Sequence, residues 1–469
     1  MFSNSREIMS FIKAEKVAMV DFKFVDLPGR WHHITVPVSS LDDALLRNGI
    51  PFDSSSVPGF RGKTCADMSL IPDITTGFLD PFTEFATLSF ICAICEADTK
   101  EGISGDPRSA AIRAEKYLKQ KLGAESKWLP EIEFYLFNSA DYGTDRNYGY
   151  FSFESEETDP TGSGFANRPR AGYHALPPLD TGNDIRSEIV SIVEKLGVRV
   201  RYHHHEVGPF GQNEIEIVPT PLVKAGDAVM LLKYVIRLVA QRNGLVATFL
   251  PKPLFNEPGN GMHFHQFLIK NDKSLFWDAK GEHAHLSNIA LSYIAGILDH
   301  APSIVGITNP STNSYRRLVP GFEAPTKRFF GLANRCAAIR VPKYDDTPEL
   351  KRIEFRTPDA TCNPYLAICA QLLAGLDGIE RKLDPVALGF GPFNDDIEKW
   401  SDAKRAKIKD IPTGLDAALD ALTKDRDYLI KGKVFDAETI ARHTDDARAI
   451  ANEISRYPVP KEIEEYFDL

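Results

Sequence analysis

The stretch Leu129-Pro-Glu-Ile-Glu-Phe-Tyr-Leu-Phe137 decides the fold, because it places two acidic side chains inside a strongly strand-forming run. Its aromatic and branched residues predict a β-strand over 131–137 that is entered through Pro130. Alternate side chains of a strand share a face, so Glu131 and Glu133 lie side by side. Such a pair repels and loses solvation, and it therefore needs a cation or arginines nearby. Taken alone, the pair would rather indicate an edge strand with two solvated glutamates.

The same alternation of charged and apolar residues recurs in other strand-forming regions of the chain. The residues that share a face are Glu214 with Glu216, His263 with His265, and Arg352 with Glu354 and Arg356. A solvated polar sheet face remains the alternative explanation. The repetition favours a sheet whose concave face lines a polar cavity.

Length and composition limit the classes of protein to which the chain can belong. The 469 residues allow two or three domains, and the net charge of −10 with a pI near 5.7 argues against nucleic-acid binding. No apolar run approaches the roughly 18 residues of a membrane span, which predicts a cytoplasmic protein. The six cysteines are expected to be reduced, because the odd offset of Cys92 and Cys95 in a predicted strand sends their sulfurs to opposite faces.

The order of predicted elements indicates an α+β chain of two domains. Short strands with a helix come first, the segment 51–60 is predicted to be an irregular loop, and a long helix runs from Pro107 to Leu122. We place the boundary near 102–106, giving a small domain over 1–104 and a large one over 105–469. Residues 138–170 are expected to form a surface excursion. The tail from 457 onwards carries apolar residues without a core of its own.

The residue types in the predicted cavity point to metal-assisted phosphoryl transfer. Glutamates with imidazole are ligands for Mg²⁺ or Mn²⁺, and the number of carboxylates predicts two or more metal positions. Arginines beside such metals indicate phosphate. A nucleotide P-loop is not expected, because Val57 stands where the glycine of a motif ending in Gly62-Lys63-Thr64 should be. The run His203-His-His205 alternates between faces, so its three imidazoles cannot share one ion.

Assembled in chain order, these residues resemble class I (bacterial-type) glutamine synthetases almost from end to end. The matching motifs are Phe52-Asp-Ser-Ser-Ser56, Glu131-Ile-Glu133, His204-His-Glu-Val207, Gly211-Gln-Asn-Glu214, Gly259-Asn-Gly-Met-His-Phe-His265, Asn313-Ser-Tyr-Arg-Arg-Leu-Val-Pro-Gly-Phe-Glu-Ala-Pro325, Asn334-Arg335 to Arg340, Arg352-Ile-Glu-Phe-Arg356 and Asn363-Pro-Tyr365. The resemblance implies a β-grasp-like N-terminal domain and a large catalytic domain whose curved antiparallel sheet is flanked by helices. It also implies a dodecamer of two hexameric rings, with active sites between adjacent subunits and the tail inserted into the opposing ring.

The resemblance also assigns roles to individual residues. One Mg²⁺ or Mn²⁺ would be held by Glu133, Glu206 and Glu214, and a second by Glu131, His263 and Glu354. The residues expected at the ATP phosphates are His265, Arg335, Arg340 and Arg352. Those expected at glutamate and ammonium are Tyr173, Gly259, Arg317 and Arg356. The catalytic residues would be Asp53 of the neighbouring subunit, Arg335, and Glu323 on a flap that excludes water.

The reaction implied is the ATP-dependent ligation of ammonia to the γ-carboxylate of L-glutamate through γ-glutamyl phosphate. The alternatives are a ligase that joins glutamate to an amine or polyamine, and a non-catalytic homologue. Asp53 together with Tyr173 favours ammonia, because a bulky amine would need that corner opened. Structural roles remain the alternatives for some of these residues. They are core packing for Tyr173, ion pairing for one of the arginines, and a supporting or solvent-facing position for Glu216.

Some positions depart from the family pattern. Glu398 replaces the tyrosine that the family adenylylates, so we predict no adenylylation at this site. Pro258 stands where the glutamate-binding loop usually carries asparagine, and Glu349 replaces a lysine near the nucleotide phosphates. The change at Pro258 bears on the local contact with glutamate, and the change at Glu349 bears on nucleotide affinity or metal preference.

Overall fold

The computed structural model describes residues 2–60, 67–161, 164–344 and 346–467. Residues 62–64, which resemble the end of a P-loop, and the cysteine at 65 lie outside these ranges. The N-terminal sheet has the strand order β2-β1-β5-β4-β3. Its strands are β1 (Met19–Val25), β2 (Trp31–Pro37), β3 (Ile50–Asp53), β4 (Asp67–Leu79) and β5 (Thr87–Glu96). Only the central pair β1 and β5 is parallel, which is the arrangement expected when a helix-containing connection separates the two strands.

The prediction of an irregular loop over 51–60 is wrong at its beginning. Ile50 and Phe52 pair with Leu70 and Met68 of β4, and their side chains pack against the core of the N-terminal sheet. The Ser- and Pro-rich composition concealed this short strand, because its pairing partner β4 was itself not predicted. Beyond Asp53 the chain turns through a short 3₁₀ segment at Ser54–Ser56.

The second sheet contains the opening stretch and has the strand order β15-β16-β17-β13-β6-β10-β9. Three short strands lie off this path, β11 and β12 beside β6, and β14 beside β13. The strands of the second sheet are β6 (Glu125–Phe137), β9 (Val200–His205), β10 (Gln212–Ile217), β11 (Thr220–Pro221), β12 (Val246–Thr248), β13 (Met262–Lys270), β14 (Lys273–Ser274), β15 (Phe330–Leu332), β16 (Ile339–Val341) and β17 (Ile353–Phe355), and the chain between β6 and β9 also forms β7 (Ser139–Thr144) and β8 (Gly149–Glu154). The sheet is mixed rather than purely antiparallel, because β15 and β16 run parallel at its edge. The strands β7 and β8 form a separate hairpin within the predicted surface excursion.

The described part of the chain also forms helices of four to 21 residues. They are α1 (Ser5–Ala14), α2 (Asp43–Asn48), α3 (Pro107–Leu122), α4 (Asn183–Lys195), α5 (Leu222–Arg242), α6 (Asn288–Thr308), α7 (Ser314–Arg317), α8 (Pro364–Arg381), α9 (Asp402–Arg405), α10 (Leu415–Lys424), α11 (Ala437–Ile454) and α12 (Pro460–Tyr466). For α3 the prediction is confirmed at both ends. The Asp106 side chain caps the N-terminus by accepting a hydrogen bond from Ser109 N, and Gly123 adopts a left-handed conformation at the C-cap. By length and composition α6 could cross a membrane, but most of it is buried in the core.

A buried arginine ties the two sheets together. The guanidinium of Arg108, on α3, donates to Asp227 of α5 at 2.8 Å and to Asp73 of β4 at 2.8 Å. Asp227 also accepts from Tyr365 Oη at 2.7 Å. Because Arg108 is almost fully buried, this network fixes the N-terminal sheet relative to the helices behind the second sheet.

Candidate active site

A cavity of about 840 Å³ lies over one face of the second sheet. The register of the strands places the charged side chains of this face next to one another. His263 of β13 lies opposite Glu131 of β6, which in turn lies opposite Glu216 of β10. Two residues further along these strands, Glu214 lies opposite Glu133. The alternation seen in the sequence thus becomes a continuous charged surface across neighbouring strands.

The first group of candidate metal ligands surrounds Glu131. Its carboxylate lies 2.7 Å from His265 Nε2 and 3.2 Å from His263 Nδ1. Glu354 lies within 3.8 Å of both imidazoles. Ligand atoms of Glu131, His265 and Glu354 approach one another closely enough to hold one ion. The structure therefore groups His265, which was expected at the ATP phosphates, with Glu131 and Glu354, and the expected ligand His263 lies beside this group.

The second group lies at the other end of the same face, around Glu214. Ligand atoms of His204, Glu206 and Glu214 also lie close enough to hold one ion. His204 Nε2 is 3.2 Å from Glu214, and Glu206 directly follows β9. The expected ligand Glu133 borders this group and accepts from Gly261 N at 2.6 Å. The sequence prediction missed His204, because the pairing of β9 with β10 decides which histidine of the run meets Glu214.

The other two histidines of that run have separate partners. His205 Nε2 lies 2.7 Å from Glu157, and His203 Nδ1 accepts from Arg186 Nε at 3.2 Å. The prediction that the three imidazoles cannot share one ion is therefore confirmed.

The electrostatics of the two groups differ. Burial would raise the pKa of Glu354, but the charges of Arg356 and His265 outweigh it and lower this pKa to about 2. In contrast, burial raises the pKa of Glu206 well above its usual value, and the charges of Glu214 and Glu133 add to the effect. Burial likewise raises the pKa of Glu214. Burial and neighbouring carboxylates thus disfavour the charged forms of Glu206 and Glu214, and a bound divalent cation would stabilise these charges.

Arginines surround the Glu354 side of the cavity. Arg340 Nη1 donates to Glu354 at 2.5 Å, and Arg356 donates to the other oxygen of the same carboxylate. Arg352 Nε donates to His265 Nδ1 at 3.3 Å. The guanidiniums of Arg340 and Arg352 both lie within 5.5 Å of the ring of Tyr344. Two guanidiniums at a half-exposed aromatic ring suit a ligand that carries phosphates.

Arg317 is buried and lines the cavity beside His263. It donates to the main-chain oxygens of Thr357 and Arg356 at 2.8 and 3.2 Å, and Nη2 approaches His263 Nε2 to 3.3 Å. Gly259 packs directly against Arg317, because an added Cβ would lie 2.9 Å from Arg317 Cγ and 2.3 Å from Pro251 O. A side chain at Gly259 would thus displace backbone as well as Arg317.

The segment from Pro320 to Pro325, which we call the flap, borders the cavity. Glu323 has a left-handed φ of +56° and pairs with Arg335 Nη1 at 3.2 Å. Arg335 Nη2 in turn donates to Tyr173 Oη at 3.4 Å. Tyr173 is 42% exposed and lines the cavity, so its position differs from that of a tyrosine packed in the core.

Asp53 is the one expected catalytic residue that the single chain does not bring to the cavity. Among the described residues that line it, Asp53 is absent. It ends β3, where the hydrogen bond from Ser55 N at 2.8 Å lowers its pKa. An exposed carboxylate at the end of an edge strand is available to a neighbouring molecule.

Glu216 is not solvent-facing, so that alternative is wrong. Its side chain is fully buried, and one oxygen accepts from Arg201 Nη1 at 2.8 Å. Arg201 and Tyr202 line the cavity beside Tyr344, and the sequence prediction missed all of these residues. They lie on β9 and after β16, and only the folded register shows that they meet.

Comparisons with known proteins agree with this geometry. A family model described as the catalytic domain of glutamine synthetase matches residues 104–466, and one described as its beta-Grasp domain matches residues 16–97. The glutamine synthetase of Aquifex aeolicus is 42% identical over 468 residues, covering 99% of this chain and 98% of that protein. The glutamine synthetase of Streptomyces coelicolor is 42% identical over 479 residues, covering all of both chains.

Among solved structures, that of Plasmodium falciparum glutamine synthetase has a TM-score of 0.89 at 25% identity and covers 99% of both chains. The expected fold, a β-grasp-like N-terminal domain with a larger sheet-and-helix domain, is confirmed. The matches extend over nearly the whole chain and include the strands that carry the two ligand groups. The chain therefore belongs to the glutamine synthetase family.

Proposed function

We propose that this protein is a glutamate–ammonia ligase that makes L-glutamine from L-glutamate, ammonia and ATP through γ-glutamyl phosphate. The observation that carries the proposal is that one cavity of a glutamine synthetase chain contains two groups of glutamate and histidine side chains together with several arginines. Cations bound at such groups would neutralise the charge of a transferring phosphoryl group, and arginines would orient it.

The two ligand groups would hold Mg²⁺ or Mn²⁺. Glu131, His263 and Glu354, with His265 beside them, would hold the ion that faces the ATP phosphates. Glu133, Glu206 and Glu214, with His204 beside them, would hold the other. Bound divalent cations would supply neutralisation of phosphate charge and relieve the repulsion among the buried carboxylates. Oxygen donors with single imidazoles suit either of these hard cations.

The cations of the protein would orient the two substrates. Arg340, Arg352 and His265 are suited to the ATP phosphates because they surround the Glu354 end of the cavity. Arg317, against which Gly259 packs, and Arg356 would hold the carboxylates of glutamate. Held in this way, the γ-carboxylate oxygen of glutamate can attack the terminal phosphorus of ATP in line.

The flap would protect the reactive acyl phosphate. Glu323 and Arg335 are joined by an ion pair across the cavity opening. Arg335 is suited to the negative charge on the transferring phosphate, and a closed flap excludes water from the intermediate.

The ammonium corner would be completed by a second copy of the chain. Tyr173 lies at the cavity, and we propose that Asp53 arrives from the neighbouring subunit. A carboxylate beside a tyrosine oxygen binds ammonium and accepts its proton, which is required because only neutral ammonia is a nucleophile. This arrangement needs a homo-oligomer, and we propose a cytoplasmic dodecamer of two hexameric rings.

The test is phosphate release from ATP with Mg²⁺ and glutamate, comparing ammonium, methylamine and putrescine as acceptors. We expect turnover with ammonium, with methylamine and putrescine at least about ten-fold less efficient, because the acceptor corner is small. Preference for an amine would overturn the assignment of ammonia as the acceptor. Absence of turnover with all acceptors would favour the non-catalytic alternative.

A further inference from the structure

The flap is held at consecutive residues by different parts of the chain. Gly321 N donates to Glu398 Oε1 at 3.1 Å. Lys252 Nζ and the guanidinium of Arg170 lie 3.6 and 4.7 Å from the centroid of the Phe322 ring. The Glu323 carboxylate pairs with Arg335, as described above. Of these contacts, the pair of Glu323 with Arg335 has a role in the proposed chemistry, whereas those of Gly321 and Phe322 do not.

Glu398 reaches the flap from outside the main cavity. It lines a second cavity of about 360 Å³, which also borders Pro320 and Ala324 of the flap. Gly321, in contrast, lines the main cavity. The carboxylate therefore supports the flap from behind and does not contact the substrate space.

The segment that carries Glu398 is anchored on several sides. Ile397 is 4% exposed and packs against Phe329, Ala337 and Ile408. Asp396 caps the turn by accepting from Glu398 N at 3.1 Å, and Arg405 Nη1 donates to Glu398 O at 3.3 Å. The carboxylate thus extends from a fixed turn, which makes it a well-placed acceptor for a mobile partner.

The same segment is connected to the loop that carries Arg335. Asn334 Nδ2 donates to the main-chain oxygens of Phe393 and Asp395 at 3.0 and 2.9 Å. Because Asn334 is adjacent to Arg335, these two hydrogen bonds connect the segment that carries Glu398 to the partner of Glu323. The flap is therefore contacted at Gly321 and at Glu323 by two segments that are bonded to each other.

We propose that Glu398 is a positioning residue that holds the flap closed over γ-glutamyl phosphate. This inference rests on the proposed function. The left-handed φ of Glu323 makes the closed flap a backbone conformation that a non-glycine residue adopts only when its surroundings hold it there. The hydrogen bond from Gly321 to Glu398 supplies such a restraint two residues away.

The consequence is a defined side reaction when the restraint is lost. Water that enters attacks the γ-carbonyl carbon and breaks its bond to the phosphate oxygen. The products are glutamate and phosphate, with the water oxygen in the carboxylate and its protons released to solvent. ATP is then consumed without formation of glutamine. A hydrogen bond of ordinary strength shifts an open–closed equilibrium by about two- to ten-fold, so the ratio of hydrolysis to glutamine formation should rise by about that factor.

The experiment compares Glu398→Ala with Glu398→Gln and with Asp395→Ala in the full chain. Phosphate and glutamine are measured in the same reaction at ammonium concentrations below KM. Asp395 is an exposed carboxylate of the same segment, and only its main-chain oxygen takes part in the anchoring. We expect the excess of phosphate over glutamine to rise about two- to ten-fold in Glu398→Ala. It should stay near the unmodified value in Glu398→Gln, which keeps an acceptor oxygen, and in Asp395→Ala.

A purely structural role for Glu398 would lower both products together and leave their ratio unchanged. An unchanged ratio in Glu398→Ala, or an equal rise in Asp395→Ala, would overturn the inference. These outcomes are distinct from failure of the proposed function, in which the unmodified protein itself forms no glutamine from ammonium. That last result would remove the intermediate and the inference with it.

Discussion

Glu131 and Glu133 are separated by a single residue, yet their surroundings differ. Glu131 lies against two imidazoles, and these outweigh its burial and lower its pKa well below the usual value. Glu133 instead accepts from the main chain at Gly261 and borders the acidic group around Glu214. The two carboxylates share one face of the strand. Their different neighbours fit the proposal that each binds a different metal ion.

This division predicts different effects of removing each charge. Glu131→Gln should raise KM for ATP by at least about ten-fold, because its charge would act on the ion at the phosphates. Glu133→Gln should leave KM for ATP nearly unchanged and raise the Mg²⁺ or Mn²⁺ concentration needed for glutamate turnover. Steady-state kinetics at varied ATP and metal concentrations provide the measurement. Equal effects of both variants on KM for ATP would contradict the division.

His300 is a buried titratable residue far from this chemistry. Its ring nitrogens lie 2.7 Å from Asp425 and 2.9 Å from Asp377, and the ring stacks on Tyr428. Lys431 and Arg381 also contact Asp377. Burial would lower the pKa of His300, but the hydrogen bonds and charges of the two carboxylates outweigh it and raise this pKa to about 9.

A raised pKa in the folded state means that the protonated imidazole stabilises the fold. This stabilisation is complete below the unfolded pKa of about 6.5 and is lost as pH rises through about 9. We therefore expect the Tm of the unmodified protein to fall more steeply than that of His300→Gln between these pH values. At low pH the variant should be less stable by roughly 1.5–3 kcal/mol, the range for hydrogen bonds to charged groups. Parallel Tm profiles measured by scanning calorimetry would refute the prediction.

At the scale of elements, the helices α6 and α8 approach so closely that their contact requires glycine. An added Cβ on Gly296 would lie 2.2 Å from Ala374 O and 2.8 Å from Gly378 Cα. Both of these atoms are backbone, so a side chain can be accommodated only if the helices separate. A 3.6-residue period can indicate a helix in the sequence, but it cannot show which faces of two helices meet.

Gly296→Ala should therefore destabilise the protein even though alanine favours helix. We expect a loss of about 1–3 kcal/mol, as for other overpacked cores. The matched control is Gly105→Ala, whose added Cβ would meet only Thr439 Oγ1 at an ordinary 3.6 Å. Chemical denaturation of both variants provides the measurement. A Gly296→Ala variant as stable as the control would show that the helices separate without cost.

The elements also show which parts of the site a sequence can reveal. The period-two pattern revealed Glu131, Glu214 and His263, because strand alternation is a local property. It could not reveal that His204 joins Glu214, since their meeting depends on the pairing of β9 with β10. The partners of Arg201 and Tyr344 were missed for the same reason. The short strand β3 was missed because its pairing with β4 outweighs its turn-rich composition.

At the scale of the whole molecule, the C-terminal segment exposes apolar side chains that the described part of the chain leaves uncovered. Its exposed residues are Ile450, Ile454, Tyr457, Val459, Ile463, Tyr466 and Phe467. Burial of such side chains in a partner would be favourable by roughly 25 cal/mol per Å². This agrees with the proposed insertion of the tail into an opposing ring.

Removal of the chain from Tyr457 onwards should therefore separate the rings without preventing ring formation. We expect a dodecamer for the full chain and hexamers for the truncated chain in sedimentation velocity experiments. Turnover per chain should be retained, because the proposed active sites lie between subunits of one ring. A truncated chain that remains dodecameric would contradict the role of the tail, and a monomeric full chain would contradict the proposed assembly.

The central claim is that the cavity transfers phosphate from ATP to the γ-carboxylate of glutamate before ammonia attacks. Glutamate labelled with ¹⁸O in its γ-carboxylate tests this step directly, because the oxygen that attacks phosphorus leaves with the phosphate when nitrogen displaces it. Mass spectrometry of the products should find one ¹⁸O in the phosphate and one in the glutamine from each turnover. Phosphate free of ¹⁸O, with ATP consumed, would show that water and not glutamate accepts the phosphoryl group, and would contradict the account.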